Sequence, residues 1–338
     1  MSDASLPEYK DVLKAAQTLK NYAHNTPVVS STTLNDYLGQ KLNGGKGGKI
    51  EVFLKCENFQ KCGSFKFRGA FNAVNNLTPE QKQAGCLAYS AGNHGQGVAL
   101  AGKILGIKTC IILPADAPEI KKTAIAGYGA EIMYFDRFKD NLDEMIAKQI
   151  NERKMTYISP FDHRDIIAGQ GTSCLELFNE VGELDHFLTG VGGGGLISGC
   201  MLVCKAHAPN CKIIGVEPDA GHDAEMSMQQ NKIISVQNQK TLADGASTPH
   251  IGVLNLKMMR RSLDKLTHAT DEQLIFWMRF LGERCKMIVE PTGVLGLAGL
   301  ENMIQEGLVQ DGAKVGVVIT GGNVDLQKYS QILFNHKP

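Results

Sequence analysis

HFLTGVGGGGLISGCMLVCKAHAPNCKIIGVEP, residues 186–218, decides the fold. It reads as a strand (186–191), a glycine loop, a helix (196–208) and a second strand (212–218). A strand joined through a helix to another strand is the unit of a parallel sheet. Working outward, the same unit recurs. Upstream lie a strand over 50–57 (IEVFLKCE), helix-like 70–77, a strand over 86–90 (CLAYS), a helix over 94–106, a strand over 108–114, a helix-like stretch over 121–129 and a strand over 131–135. Downstream, KVGVVITGGN (314–323) closes the pattern, and a first helix is expected over 8–21, where Val12, Leu13, Ala16 and Leu19 share a face. NGGKGGK (43–49) reads as a flexible loop tip. The class is α/β, a mostly parallel sheet with helices on both faces. Ligands in such sheets sit beyond the carboxyl ends of the strands. The loops after residues near 57, 90, 191, 218 and 320 are therefore where a site is expected.

The chain has 338 residues, about two domains at ~150 residues each. Lys plus Arg and Asp plus Glu number 35 each, so the net charge is zero and no nucleic-acid partner is expected. Glycine, at 37 residues, is about 11% of the chain against a usual ~7%, a surplus expected in turns and ligand loops. The nine cysteines have irregular spacing and no CxxC, which predicts free, mostly buried thiols in a reducing compartment. No basic stretch followed by an apolar run stands near Met1. The most apolar stretch, Phe187 to Val203, holds six glycines and is shorter than the ~20 residues of a membrane span. These features predict a cytoplasmic enzyme acting on a small molecule, with no membrane partner.

Three elements carry chemistry. Gly192, Gly193, Gly194 and Gly195 open a helix at Leu196, so their N–H groups and the helix dipole can converge on a phosphate. No Walker lysine follows, which excludes an NTPase loop. Gly190-x-Gly192-x-x-Gly195 also fits a dinucleotide fingerprint, with Glu217 where a ribose-binding acid would stand. A nicotinamide-dependent oxidoreductase is thus a rival reading. The second element, SFKFRGA (64–70), sets Lys66 between two phenylalanines. An apolar setting lowers a lysine pKa and suits a Schiff base with an aldehyde cofactor. The third, SAGNHGQG (90–97), places small residues and Asn93 where a strand meets a helix, a setting for a carboxylate.

Together, in this order, these elements resemble the fold-type II pyridoxal-phosphate enzymes, the tryptophan-synthase-β-like family. The resemblance is strongest to its serine racemase, serine/threonine dehydratase and threo-3-hydroxyaspartate dehydratase group. It runs from about Tyr9 to about Tyr329 through FLKCENFQKCGSFKFRGA (53–70), AGQGT (168–172), VGGGGLISG (191–199), VEPDAGHD (216–223), LADGAS (242–247), EPTG (290–293) and TGGNVD (320–325). It implies two lobes, each a mostly parallel twisted sheet covered by helices. Residues 1–84 and 160–338 would form a large cofactor-binding domain, and 85–159 a small one that closes on substrate. It implies a homodimer, and Lys66 as the lysine that bonds the cofactor aldehyde. Gly192 to Gly195 and Leu196 would hold the phosphate of pyridoxal 5'-phosphate. Asn93 would donate to its phenolic oxygen, Phe65 would pack beside the ring, and Thr320 would face the pyridine nitrogen. A neutral hydroxyl cannot keep that nitrogen protonated, which suits prompt loss of a β-hydroxyl. Ser90, Ala91, Asn93 and His94 would surround the substrate carboxylate. Glu217, the Gly221 carbonyl and Asp223 match a divalent-cation loop suited to Mg²⁺, Ca²⁺ or Mn²⁺. Lys61, Gln96 and Tyr128 align with positions that help ATP bind as an effector in animal serine racemases. Arg137 and His163 resemble the yeast-type hydroxyaspartate dehydratases, where either could meet a second substrate carboxylate.

The expected reaction is conversion of a β-hydroxy amino acid to a 2-oxo acid and ammonia, with serine racemisation as the alternative. Racemases of this group read Ser-Ser-Gly-Asn-His, and their second serine exchanges the α-proton on the face opposite the lysine. Here the turn is Ser90-Ala91-Gly92-Asn93-His94, and alanine has no proton to exchange. A missing acid–base group forfeits ~10²–10⁴-fold in rate. Ala91→Ser is therefore expected to raise D-serine formation from L-serine relative to pyruvate, measured by chiral chromatography; an unchanged ratio would refute the role given to this position.

Overall fold

In the computed structural model the described residues are 6–90, 92–115, 119–136, 139–237 and 239–335. Ala91 and Arg137 lie outside them. Among the described residues ten strands follow in chain order: β1 (Val28–Val29), β2 (Ile50–Cys56), β3 (Cys86–Tyr89), β4 (Thr109–Pro114), β5 (Glu131–Phe135), β6 (Thr156–Tyr157), β7 (His186–Gly190), β8 (Lys212–Pro218), β9 (Lys265–Ala269) and β10 (Ala313–Ile319). They form a six-stranded sheet, ordered β1-β2-β10-β7-β8-β9, and a four-stranded sheet, ordered β5-β4-β3-β6. The β1–β2 pair is antiparallel and the remaining pairs are parallel. All four strands of the smaller sheet come from the segment between β2 and β7. The carboxyl ends of β7, β8 and β10 point their loops to one side of the larger sheet, and β3 delivers residues 90–97 from the smaller one.

The longest helix, Arg164–Val181, has no counterpart in the strand–helix pattern read from sequence. Its AGQGT stretch looks like a loop, yet it packs on two other helices at their glycines. A Cβ on Gly169 would lie 2.6 Å from the Gly69 Cα, and one on Gly171 would lie 2.6 Å from the Gly199 carbonyl oxygen. Part of the glycine surplus therefore serves helix contact rather than turns and ligand loops. Backbones this close leave no room for any side chain, a need that outweighs the ~1 kcal/mol helix penalty of glycine.

A buried charge network ties these helices to the sheet. Arg68, fully buried in helix Lys66–Asn75, donates through Nε and Nη2 to both Glu57 oxygens at 2.8 Å. Through Nη1 and Nη2 it reaches both Glu176 oxygens at 2.7 Å. Lys55, at the end of β2, sits 2.7 Å from Glu176 Oε2 and donates to the Thr26 carbonyl. Thr26 Oγ1 in turn donates to Glu57 at 2.6 Å. Burial works against the Glu57 charge, but Arg68 outweighs it and holds the carboxyl below its usual range. Two cations and two carboxylates thus neutralise one another, each bound bidentately or by several hydrogen bonds.

Arg68→Met removes the shared cation and leaves Glu57 buried without it. A loss of about 3–5 kcal/mol is expected, read as a lower urea midpoint. Arg68→Lys should not restore it, because an ammonium cannot span two carboxylates as the fork does. Since the Glu57 pKa is depressed on folding, the network's contribution is complete above the unfolded value of about 4.3 and disappears as pH falls below it. A stability profile flat through acid would contradict this.

Candidate active site

Lys66 begins its helix directly after the turn that leaves β2. That turn is pinned to β10: Phe65 N–H donates to the Thr320 carbonyl at 3.1 Å, and Ser64 bridges Gly321. The Lys66 amine donates to the Pro160 carbonyl at 2.9 Å and stands 5.2 Å from the centre of the Phe65 ring. Burial lowers its pKa to about 8, against a smaller opposing pull from Glu290. The amine therefore gives up its proton far more readily than an ordinary lysine, as a nucleophile or base requires.

Asn93, at the start of helix Asn93–Leu105, donates from Nδ2 to Glu290 Oε1 at 2.8 Å and accepts from Asn323 at 2.9 Å. Thr320 is buried at the end of β10, its hydroxyl 3.5 Å from the Thr292 carbonyl. The glycine loop leaves β7 and opens helix Gly195–His207 one residue before the expected Leu196, with Gly194 as its N-cap at φ +87°. Gly193 is walled by Phe161, whose ring carbon Cγ would lie 2.1 Å from an added Cβ. Asn255 Nδ2 holds the Gly193 carbonyl at 2.7 Å. The structure thus gathers Lys66, Phe65, Asn93, Thr320 and the glycine loop around the strand ends.

Ser90 Oγ accepts from Gly92 N–H at 3.1 Å. His94 is buried, with Nε2 2.9 Å from the Ile158 carbonyl, and burial followed by the Lys66 charge lowers its pKa to about 3. It is a neutral imidazole, able to hydrogen-bond but not to pair as a cation. His163 caps the long helix, Nδ1 accepting from Asp165 N–H at 3.2 Å, and burial lowers it too. Gln96 and Tyr128 meet around Cys62, whose thiol donates to the Gln96 carbonyl at 3.5 Å and contacts the Tyr128 hydroxyl. Lys61, next to Cys62, lies 5.9 Å over the Phe67 ring.

Glu217 and Asp223 face each other across the turn after β8. Glu217 accepts from the N–H groups of Ala224 and Glu225, both at 2.9 Å. Asp223 Oδ1 accepts from Gln239 at 3.3 Å, and its Oδ2 is buried without a partner. Burial, with Asp223 charge adding to it at Glu217, raises Glu217 to about 8 and Asp223 to about 6. A cation would relieve both carboxylates.

A family described as "Pyridoxal-phosphate dependent enzyme" matches residues 19–321. The chain belongs to this family. It is similar to a serine racemase of Schizosaccharomyces pombe, 44% identical over 97% of this chain and 98% of that one. It is also similar to an L-threo-3-hydroxyaspartate ammonia-lyase of Saccharomyces cerevisiae, 43% identical over 97% of each. Among solved structures, maize serine racemase superposes with a TM-score of 0.89 at 34% identity, covering 98% of both chains.

The residues fit the family's cofactor. An amine of lowered proton affinity, a bare glycine cradle at a helix N-terminus and a buried Ser64 hydroxyl without a partner are what a phosphate-bearing aldehyde requires. Reading the sequence by itself missed Glu290, Pro160, Phe161 and Asn255. Glu290 left one signal, a carboxylate set in the apolar run MIVEP (287–291). Pro160 acts only through its carbonyl, which no side-chain pattern reveals.

Because only a neutral amine attacks an aldehyde, reloading of the apoprotein with pyridoxal phosphate is expected to speed up as pH rises and to level off above about 8. Absorbance during reconstitution checks this; a profile still climbing at pH ~10, where an ordinary lysine titrates, would mean the amine is unperturbed. Lys66→Ala should lose the borohydride-stable label altogether.

Proposed function

We propose that this enzyme is an ammonia-lyase converting a small β-hydroxy amino acid (L-serine, L-threonine or threo-3-hydroxyaspartate) to a 2-oxo acid and ammonia. The observation that carries the reading is Lys66, a partly neutral amine between Phe65 and the Pro160 carbonyl, facing the strand ends. Bound pyridoxal phosphate supplies the electron sink that acidifies the substrate α-carbon. The chain does the rest. Gly192 to Gly195 and Leu196 would hold the phosphate, Asn93 and Phe65 would orient the ring, and Thr320 would offer its nitrogen a neutral hydroxyl. Ser90, Ala91, Asn93 and neutral His94 would surround the substrate carboxylate. Lys66 would take the substrate α-proton. The β-hydroxyl would leave as water, with one proton taken up for the one removed from the α-carbon, and the enamine product would consume a water to give the 2-oxo acid and ammonia. Relatives named L-threo-3-hydroxyaspartate ammonia-lyase and L-threonine dehydratase, at 34–43% identity, support this reading.

A second reading, serine racemase with dehydratase side activity, is favoured by the 44% identity to the relative so named. Ala91 favours the lyase. With either go a Mg²⁺-like cation at Glu217, the Gly221 carbonyl and Asp223, supported by the unpartnered Asp223 Oδ2, and a homodimer. Nine free thiols support a cytoplasmic location. The separate sheet of residues 86–157 supports a small lobe over 85–159 closing on the rest. ATP as an effector near Lys61, Gln96 and Tyr128 draws support from their meeting around Cys62.

The test is product analysis on the three substrates. Pyruvate, 2-oxobutanoate or oxaloacetate should form with ammonia, and D-serine should trail pyruvate. Chelation should lower activity and Mg²⁺ restore it, whereas Glu217→Gln should no longer respond to chelator. D-serine forming as fast as pyruvate would replace the lyase reading with the racemase one.

A further inference from the structure

His222 sits inside the turn after β8, where a lone imidazole says little about a metal. The fold supplies a second. His268, on β9, lies in register beside Glu217 of β8, and its ring stacks on that of His222 with centroids 4.0 Å apart and planes 24° from parallel. Two carboxylates flank the pair. Asp219 Oδ1 is 3.8 Å from His222 Nε2, and Glu225 Oε2 is 3.2 Å from His268 Nε2 and 4.0 Å from His222 Nδ1. Asp219, His222 and His268 each offer a ligand atom, all within 4.8 Å of one another. His268 Nε2 is buried and makes no hydrogen bond.

We propose that Asp219, His222 and His268, with Glu225 beside them, form a binding site for a borderline transition cation of the Zn²⁺ class, separate from the all-oxygen loop at Glu217 and Asp223. To converge on one ion the stacked rings must turn, and His222 Nε2 must leave the Asp219 carbonyl that it contacts. Ligands 2.0–2.1 Å from a tetrahedral ion lie about 3.3 Å from one another, close to the His268–Glu225 separation and about half an ångström short of the Asp219–His222 one. The four groups come from the β8 turn, the first turn of helix Asp223–Gln230 and β9, and Asp219 N–H is already bonded to the Ala269 carbonyl at 2.8 Å. The side chains keep a quarter to two-thirds of their surface exposed, so an ion reaches them from solvent. Ligand chemistry divides the two sites. Imidazole nitrogens select Zn²⁺, Co²⁺, Ni²⁺ or Cu²⁺, whereas carboxylates and a backbone carbonyl suit Mg²⁺ or Ca²⁺. Binding would clamp β9 to the β8 turn.

The experiment is equilibrium dialysis of chelator-treated holoenzyme against Zn²⁺ in millimolar Mg²⁺, with metal counted per chain. One zinc per chain is expected, undiminished by Mg²⁺ and accompanied by a higher thermal midpoint. The double variant His222→Asn, His268→Asn should weaken zinc by more than the about 10–100-fold that loss of an outer-shell partner costs, while Glu217→Gln should not. His222→Asn alone, at a partly exposed turn position, should show the same direction with the β9 residue intact. Co²⁺ in place of zinc should give visible bands without thiolate charge-transfer absorption, which separates this site from Cys62 and Cys285. Zinc retained by both histidine variants, displaced by Mg²⁺ or held by thiolate would overturn the proposal, as would a parent that binds none at micromolar concentration.

Discussion

Arg68 stands two residues after Lys66, and its guanidinium lies buried between Glu57 and Glu176. That fork ties together three of the elements that place the reactive amine. Glu57 closes the turn after β2, Glu176 belongs to the long helix, and Lys55 joins from the strand itself. Burying one of these charges alone would cost several kcal/mol, and the group lowers that cost only when all four are in place. The helix that begins at Lys66 is thereby fixed in rotation as well as position. The same rigidity keeps its amine pressed against the Pro160 carbonyl instead of out in water.

The site shows how a low-dielectric setting tunes neighbouring groups in different directions. Burial lowers Lys66 and His94, which are cations when protonated, and raises Glu217 and Asp223, which are anions when ionised. The first two thereby gain neutral forms suited to nucleophilic attack and hydrogen bonding. The last two are left as acids in need of a partner. Glu290 lies between these cases, holding Asn93 by a hydrogen bond while its charge partly restores the Lys66 proton.

Much of this was legible in the sequence. Apolar strands punctuated by glycine gave β2, β3, β4, β5, β7, β8 and β10 to within a few residues, because their hydrophobic runs and turn residues agree. The glycine loop and the phenylalanine-flanked lysine were readable for the same reason: each departs from ordinary usage in a way only chemistry explains. The long helix was not, because AGQGT serves contacts with residues about a hundred positions upstream and about thirty downstream in the chain, which local pattern cannot express. β9 and His268 escaped likewise, since the partner of His222 is chosen by strand order. His163 reads as a charged loop residue, yet it spends its ring nitrogen capping a helix.

The smaller sheet enters and leaves near the crossing where Gly69 meets Gly169. That contact pins the two ends of the inserted segment together. Loop-closure entropy grows only logarithmically, about 0.6 kcal/mol for each doubling of length. Residues can therefore be gained or lost within the insertion at little thermodynamic penalty to the sheet that carries Lys66. Helix Asn93–Leu105 is held by its contact with the lysine's own helix, where Gly97 meets Lys66 and Ala70, so changes in size are confined to loops of the insertion away from that contact.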